Sequence, residues 1–252
     1  GLYPEEDMPD DVEPQIDKAE ELRIKWGVES GQLWKLGEHR LICGDCTDRA
    51  VVEKVMGGEK AQLCFTSPPY SDMRTYTNDG DLSPKHLSGF ITVASNSVDI
   101  YAVNLGLKRE NGEIKEYWQD YISTARADGL RLLAWNVWSR HGFGGSVGNM
   151  TAMFPIEHEW ILVFGKEAKE LNLTVPNKHG GKTVSATVRG TDGSMSAPQT
   201  SAVRSEGKLG SVFVSDVARG EKDHPAMFPV EFPEAYISAC TNPGNCVYEP
   251  FS

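Results

Sequence analysis

Two prolines between a serine and a tyrosine, Ser67-Pro68-Pro69-Tyr70, form the stretch of this sequence best suited to chemistry. Proline fixes its φ angle and has no amide hydrogen, so the backbone carbonyls here are rigid acceptors, and Ser67 adds a hydroxyl acceptor. Two such acceptors could bind both hydrogens of the exocyclic amino group of a nucleobase, which would expose the nitrogen lone pair for attack on a methylsulfonium. Tyr70 could stack on the same nucleobase, which contributes about 1–3 kcal/mol. Taken alone, these residues also suit a structural turn.

The segment before these residues predicts the strand that positions them. Residues 61–66 form a short apolar run, and the prolines cannot continue a strand ladder because they lack amide donors. The motif therefore follows the carboxyl end of a strand, the edge at which open α/β sheets bind ligands.

The remaining elements follow from periodicity and from capping residues. Strands alternating with helices indicate an α/β sandwich with a largely parallel sheet. The predicted helices are 16–26, 50–56, 117–127 and 230–240; the predicted strands are 130–136, 158–164 and 245–248, and a hairpin pairs strands at 32–36 and 41–43.

The proline motif resembles the Asp/Asn/Ser-Pro-Pro-Tyr/Phe/Trp signature of the DNA amino-methyltransferase family of bacteria and phage. Three further stretches resemble that family in its order along the chain: Gly44-Asp45-Cys46, then His224-Pro225 with Phe228-Pro229, then Glu249-Pro250-Phe251-Ser252. The catalytic motif precedes the cofactor motif, as in the permuted beta group. The resemblance implies a Rossmann-like, S-adenosylmethionine-dependent methyltransferase sandwich with helices on both faces of its sheet.

The same resemblance implies roles for individual residues. Ser67, Pro68, Pro69 and Tyr70 are expected to be catalytic. The residues expected to bind S-adenosylmethionine are Asp45, Thr66, His224, Pro225, Phe228, Pro229, Glu249, Pro250 and Phe251.

The sequence departs from the family pattern in three places. Glu249 stands where Asp is usual, and Ala226-Met227 stands where Thr-Gln is more frequent. The family pattern also continues with Gly-Ser-Gly and a further strand after Ser252, so we expect the cofactor strands at the carboxyl end to be missing from this chain.

Charge and composition suggest how the chain is organised. Residues 1–28 are predicted to be an acidic arm with a short helix, and residues 29–252 the methyltransferase domain. The net charge of −11 weighs against nonspecific binding of nucleic acid, although much of the acidic excess lies in the arm. Residues 171–219 are more basic and are interpreted either as a solvated loop or as a target-recognition segment. Its candidate phosphate contacts are Lys178, Lys182, Arg189, Arg204 and Lys208.

Several other features narrow the function. Five cysteines without regular spacing favour a reducing compartment, so we expect a cytoplasmic protein, and the spacing of Cys43 and Cys46 lacks the partners of a zinc site. Apolar runs are too short to cross a bilayer. Residues 135–138, Trp-Asn-Val-Trp, could line a base pocket or serve packing. A homodimer is a further hypothesis.

The residues therefore favour a DNA methyltransferase that acts on the amino group of cytosine (N4) or adenine (N6) after the base leaves the duplex. Serine at position 67 favours cytosine. Two alternatives stay open: a catalytically silent DNA-binding protein of this fold, and an amino-methyltransferase of RNA or protein. An accompanying restriction enzyme is a further expectation of the family.

Overall fold

The computed structural model describes residues 16–69, 83–141, 154, 156–216 and 228–251. The four helices predicted from the sequence are confirmed to within one residue at each end. The structure adds two short helices between residues 84 and 94, where no element was predicted. In chain order, the helices are α1 Ile16–Trp26, α2 Arg49–Met56, α3 Pro84–Leu87, α4 Gly89–Ala94, α5 Trp118–Ala127 and α6 Glu231–Cys240. Within the described ranges, none of them has both the length and the apolar character that a membrane span needs.

The strands are short except for three in the middle of the chain. In chain order they are β1 Leu33–Leu36, β2 His39–Ile42, β3 Ala61–Thr66, β4 Val98–Gly106, β5 Arg109–Glu110, β6 Glu113–Ile114, β7 Arg131–His141, β8 His158–Gly165, β9 Leu173–Pro176, β10 Thr183–Ala186, β11 Gln199–Ala202, β12 Glu206–Lys208, β13 Val212–Asp216 and β14 Cys246–Tyr248.

Six of these strands form the main sheet, in the order β13-β7-β8-β4-β3-β14. β13 pairs with β7 in parallel, and β4, β3 and β14 are parallel to one another. β8 runs antiparallel to both of its neighbours, β4 and β7. The largely parallel sheet predicted from the sequence is therefore confirmed, with one strand reversed among those described.

Side chains alternate between the two faces of the sheet, and each face carries its own apolar core. On β3, Cys64 packs on one face, in a core with residues of α2, α4 and α5. Leu63 and Phe65 pack on the other face with Phe232 and Tyr236 of α6. Helices thus cover both faces, as the resemblance implied, and complete burial of a large apolar side chain contributes about 1.5–3 kcal/mol.

The helix before β3 has capping residues at both ends. The Asp48 side chain accepts a hydrogen bond from the Ala50 amide, and Gly57 ends α2 with a φ of 58°, a left-handed conformation that glycine adopts without strain. Val52 and Met56 lie one turn apart and are the buried residues of this helix. These signals are local, which is why the sequence placed the helix correctly.

The hairpin of β1 and β2 is confirmed, but its turn is tighter than predicted. The predicted turn covered residues 37–40, whereas the structure pairs Leu36 with His39 and leaves two residues between the strands. Gly37 supplies the positive φ, 64°, that a two-residue hairpin turn requires. The second strand therefore begins earlier, at His39.

The predicted target-recognition segment contains two small antiparallel ribbons, β9 with β12 and β10 with β11. Most side chains between residues 175 and 211 are exposed. The segment is not separate from the main sheet over its whole length, because β13 at residues 212–216 forms an edge strand of that sheet.

Candidate active site

Ser67, Pro68 and Pro69 follow β3 at its carboxyl end, as predicted. Pro68 is buried and the other two are partly buried, so the backbone here is held by packing on the sheet. Tyr70, the fourth residue of the motif, lies outside the described residues, and its role stays a prediction.

A hydrogen bond connects the end of β3 with the end of its neighbour β14. The Thr66 hydroxyl donates to Oε1 of Glu249 over 2.7 Å, and the Phe251 amide donates to the same oxygen over 2.9 Å. Burial raises the pKa of Glu249 to about 7, although both hydrogen bonds oppose the rise. A candidate cofactor residue and the residue next to Ser67 are therefore in direct contact.

A cavity of about 770 Å³ opens beside Glu249, between the β1–β2 hairpin, α2 and the end of β14. Gly44 and Cys46 line it on one side, and Tyr248, Glu249 and Pro250 on the other. The cavity thus joins two of the stretches that the sequence grouped as cofactor-binding.

Asp45 has a structural partner of its own. Its Oδ1 accepts hydrogen bonds from the Thr47 amide, over 2.8 Å, and from the Thr47 hydroxyl, over 2.7 Å. Partial burial would raise the pKa of Asp45, but these hydrogen bonds and the nearby His86 hold it below its usual value. The carboxylate closes a turn, while its neighbours Gly44 and Cys46 contribute to the cavity wall.

The remaining cofactor candidates do not all lie together. Phe251 packs edge-on against Phe90 of α4, with ring centroids 5.4 Å apart. Phe228 packs instead on the α6 side of the sheet, edge-on against Phe65 at 5.9 Å, and the Pro229 carbonyl accepts from the first turn of α6. His224 and Pro225 lie outside the described residues.

The thiols of Cys64 on β3 and Cys46 in the cavity wall are not activated as nucleophiles. Cys64 is fully buried in the core, which raises its pKa, and burial raises the pKa of Cys46 to about 12. Both thiols are therefore protonated at neutral pH.

Residues 135–138, Trp-Asn-Val-Trp, lie within β7, and their two tryptophans mostly pack against other aromatic side chains. Trp138 is buried, stacks on Phe232 at 4.7 Å and donates from Nε1 to Ser215. Trp135 is 43% exposed and meets Trp160 edge-on at 4.9 Å. Of the two, only Trp135 has a surface open to a ligand.

Sequence reasoning missed a row of polar side chains that begins at Ser67. Asn104 of β4 donates from Nδ2 to Ser67 Oγ at 3.4 Å and to Glu159 Oε2 of β8 at 2.7 Å. Arg140 of β7 in turn contacts Glu159 Oε1 at 3.4 Å. One signal was available: Glu159 is the last charged residue before the apolar run of β8. The contacts themselves depend on strand register, which local patterns do not give.

A match to the model of a known protein family assigns the chain to that family. The profile of the DNA methylase family of N6 and N4 methyltransferases matches residues 61–252, from the first residue of β3 onward. The chain belongs to this DNA methylase family. The matched region includes the proline motif, the polar row and Glu249.

Solved structures of DNA methylases resemble this family member in fold. The M1.HpyAVI complex with SAM is 13% identical, with 82% of this chain and 79% of that chain covered and a TM-score of 0.48. A candidate DNA modification methylase of Thermus thermophilus, complexed with S-adenosyl-L-methionine, is 16% identical, with 82% and 78% covered and a TM-score of 0.45. No curated protein matches the chain.

Proposed function

We propose that this methylase transfers a methyl group from S-adenosylmethionine to the exocyclic amino group of cytosine or adenine in DNA. The observation that carries the proposal is the 2.7 Å hydrogen bond from Thr66 to Glu249. It places the residue before Ser67 against the cofactor candidate, although the two are 183 positions apart in the chain. An amino group held at Ser67 would therefore lie next to the cofactor.

The cavity beside Glu249 fits a ligand of the expected size and charge. Its volume, about 770 Å³, lies within the range of about 300–1,000 Å³ common for small-molecule sites. Gly44, Cys46, Tyr248, Glu249 and Pro250 would hold the cofactor there. When bound, the cofactor supplies an electrophilic methyl group on a positively charged sulfur. The ionised Glu249 carboxylate favours a cation at this position.

The chain's own residues prepare the amino group for attack. Ser67 Oγ and the carbonyls of the proline motif accept the two amino hydrogens, which localises the lone pair on the nitrogen. Pro68 is buried, so these acceptors keep their positions when the base arrives. Tyr70 would stack on the base once it has left the duplex.

The target base is proposed to be cytosine rather than adenine. Serine is a neutral acceptor with a hydroxyl that rotates, whereas aspartate would carry a charge at the same position. This preference for cytosine depends on the resemblance of Ser67 to the serine found in the family motif. Cytosine and adenine both present an exocyclic amino group to the same reaction.

DNA is proposed to bind along the exposed ribbons β9–β12. Lys178, Lys182, Arg189 and Arg204 have exposed side chains on or beside these ribbons. Lys208 is exposed as well, but its ammonium pairs with Glu170 at 3.2 Å. Each phosphate contact that releases counterions steepens the dependence of log affinity on log salt by about 0.9. We expect the protein to act in the cytoplasm, and a homodimer remains testable by light scattering.

A competition experiment tests the substrate class. Purified protein is incubated with methyl-labelled S-adenosylmethionine and with DNA, RNA and a protein mixture together, and label is counted in each fraction. We expect label in DNA, and loss of that label in Ser67→Ala. Ser95→Ala is the matched control, because Ser95 follows α4 before the amino end of β4, at the opposite edge of the sheet. Label in RNA or protein alone would contradict the proposal, and S-adenosylmethionine and DNA binding without transfer would indicate a silent protein.

A further inference from the structure

Four polar side chains form a row across the edge of the main sheet, each from or directly after one of four neighbouring strands. They are Ser67 after β3, Asn104 on β4, Glu159 on β8 and Arg140 on β7. β8 is antiparallel, so its first residues lie at the same edge as the carboxyl ends of the other three. The row therefore leads away from the proposed catalytic serine and lies on the α6 side of the sheet.

The row is well buried for a set of polar and charged groups. Asn104 is 1% exposed, and the Glu159 and Arg140 side chains are 12% and 21% exposed. Arg140 is held further by a hydrogen bond from Nη2 to the Ile156 carbonyl, at 2.9 Å. Apolar residues of similar volume are often as stable as a buried ion pair or more stable, so stability alone does not explain the row.

The row fixes which way the Asn104 amide faces. The Glu159 carboxylate only accepts hydrogen bonds, so it selects the amide orientation with Nδ2 toward it. The second hydrogen of Nδ2 is then available to Ser67 Oγ, at 3.4 Å. Asn104 acts as a donor toward this serine, and Ser67 Oγ must accept.

This arrangement matters for a nucleophilic amine. A serine hydroxyl has one hydrogen to donate and two lone pairs that accept. A freely rotating hydroxyl could donate its hydrogen to the amine lone pair and block attack on the methyl group. When Asn104 donates to one lone pair of Oγ, the hydroxyl hydrogen can no longer take that one of its three staggered orientations. The second lone pair of Oγ can then receive an amino hydrogen of the target base.

We propose that Asn104 and Glu159, with Arg140 holding Glu159, are positioning residues that keep Ser67 an acceptor toward the target amino group. The inference rests on the proposed function, since it assigns how the proposed catalytic serine is oriented. Long hydrogen bonds in a site without substrate commonly shorten when the substrate binds, which fits the 3.4 Å distance.

A double-mutant cycle on the full chain tests the coupling. Glu159→Gln keeps the shape but removes the charge, and Asn104→Leu keeps the volume but removes the donor. Each should lower the single-turnover rate of methyl transfer by about 10-fold or more, with the dissociation constants for DNA and S-adenosylmethionine within about twofold. In a Ser67→Ala background, the same substitutions should change the rate by less than about twofold, because their effect acts through Ser67.

Matched controls and a second readout separate this inference from the proposed function. Glu157→Gln and Asn96→Asp change exposed residues of the same types and should leave the rate unchanged. In protein labelled with ¹⁵N at asparagine, Ser67→Ala should shift the Asn104 side-chain amide signals, whether or not the chain methylates DNA. If one row variant does not fold, the other carries the cycle.

Each outcome decides the inference. Non-additive rates, together with the shifted amide signals, support it. The inference would be overturned if the row substitutions lowered the transfer rate by the same factor with and without Ser67→Ala. It would also be overturned if Ser67→Ala left the Asn104 side-chain amide signals unchanged, and the row would then be a structural feature. A wild-type chain that methylates nothing would count against the proposed function, and the amide signals would then decide the coupling by themselves.

Discussion

Replacing Glu249 by glutamine should stabilise the protein at alkaline pH while weakening its binding of S-adenosylmethionine. Burial raises the pKa of this carboxyl from its ordinary 4.5 to about 7. Glutamine keeps an oxygen that can accept from the Thr66 hydroxyl and the Phe251 amide, so the variant removes the charge and retains both hydrogen bonds.

Proton linkage gives the sign and the size of the effect of Glu249 on the free energy of unfolding. Between pH 4.5 and about 7, the folded protein binds more protons at Glu249 than the unfolded chain does, so the free energy of unfolding falls as pH rises. Each pKa unit corresponds to about 1.4 kcal/mol, so the destabilisation reaches up to about 3 kcal/mol above pH 7. It is absent below pH 4.5.

Urea unfolding of wild type and Glu249→Gln at pH 5 and pH 8.5 measures this difference. We expect nearly equal stabilities at pH 5, and a variant more stable by up to about 3 kcal/mol at pH 8.5. At pH 8.5 its affinity for S-adenosylmethionine should fall by about 10-fold, which corresponds to about 1.4 kcal/mol. Glu53→Gln, an exposed residue of α2, is the matched control. A stability difference that is the same at both pH values would refute the reasoning.

Three further substitutions test separate parts of the account. Phe232→Ala should lower the free energy of unfolding by about 3–5 kcal/mol, because this fully buried ring packs against Phe65 and Trp138 in the α6 core. Urea unfolding measures this loss, and a value below about 1 kcal/mol would contradict the packing. Lys182→Ala should weaken DNA binding and reduce the slope of log affinity against log salt by about 0.9, whereas Lys35→Ala in the β1–β2 hairpin should not; equal slopes would remove the ribbons from the DNA interface. Tyr70→Ala should lower turnover more than S-adenosylmethionine affinity, and equal losses in both would argue against stacking on the base.

The sequence predicted those parts of the fold that local patterns determine. The apolar run of β3 stops at two prolines, and α2 is bracketed by Asp48 and Gly57, so their positions could be predicted without knowledge of the rest of the chain. The strands β7 and β8 were found as well, although β7 continues five residues past the predicted end, to His141. Pairing with β8 and β13 extends this strand, and such pairing is not visible in a local window.

The central strand β4 was missed entirely. Its nine residues, from Val98 to Gly106, are nearly all buried because β3 and β8 flank it and helices cover both faces. A run buried on both faces has no alternation of polar and apolar residues to mark it as a strand. Missing β4 also meant missing Asn104.

The candidate site was predicted in its residue types but not in its arrangement. The proline motif and the Glu249 stretch could be matched to a family pattern, and strand pairing then brought Thr66 and Glu249 into contact. The polar row has no such pattern, because Asn104, Arg140 and Glu159 meet only through the register of three strands. Phe228 shows the opposite case: the sequence grouped it with the cofactor residues, and the structure packs its ring in the α6 core.

Nucleoside mass spectrometry determines whether this protein methylates an exocyclic amino group of DNA. The protein is incubated with unmethylated genomic DNA and with S-adenosylmethionine that carries a deuterated methyl group, and the DNA is digested to nucleosides. We predict a deuterated N4-methylcytosine, or failing that N6-methyladenine, whose amount depends on Ser67. A deuterated methyl group on carbon 5 of cytosine, or no labelled nucleoside from a protein that binds both DNA and cofactor, would contradict the account.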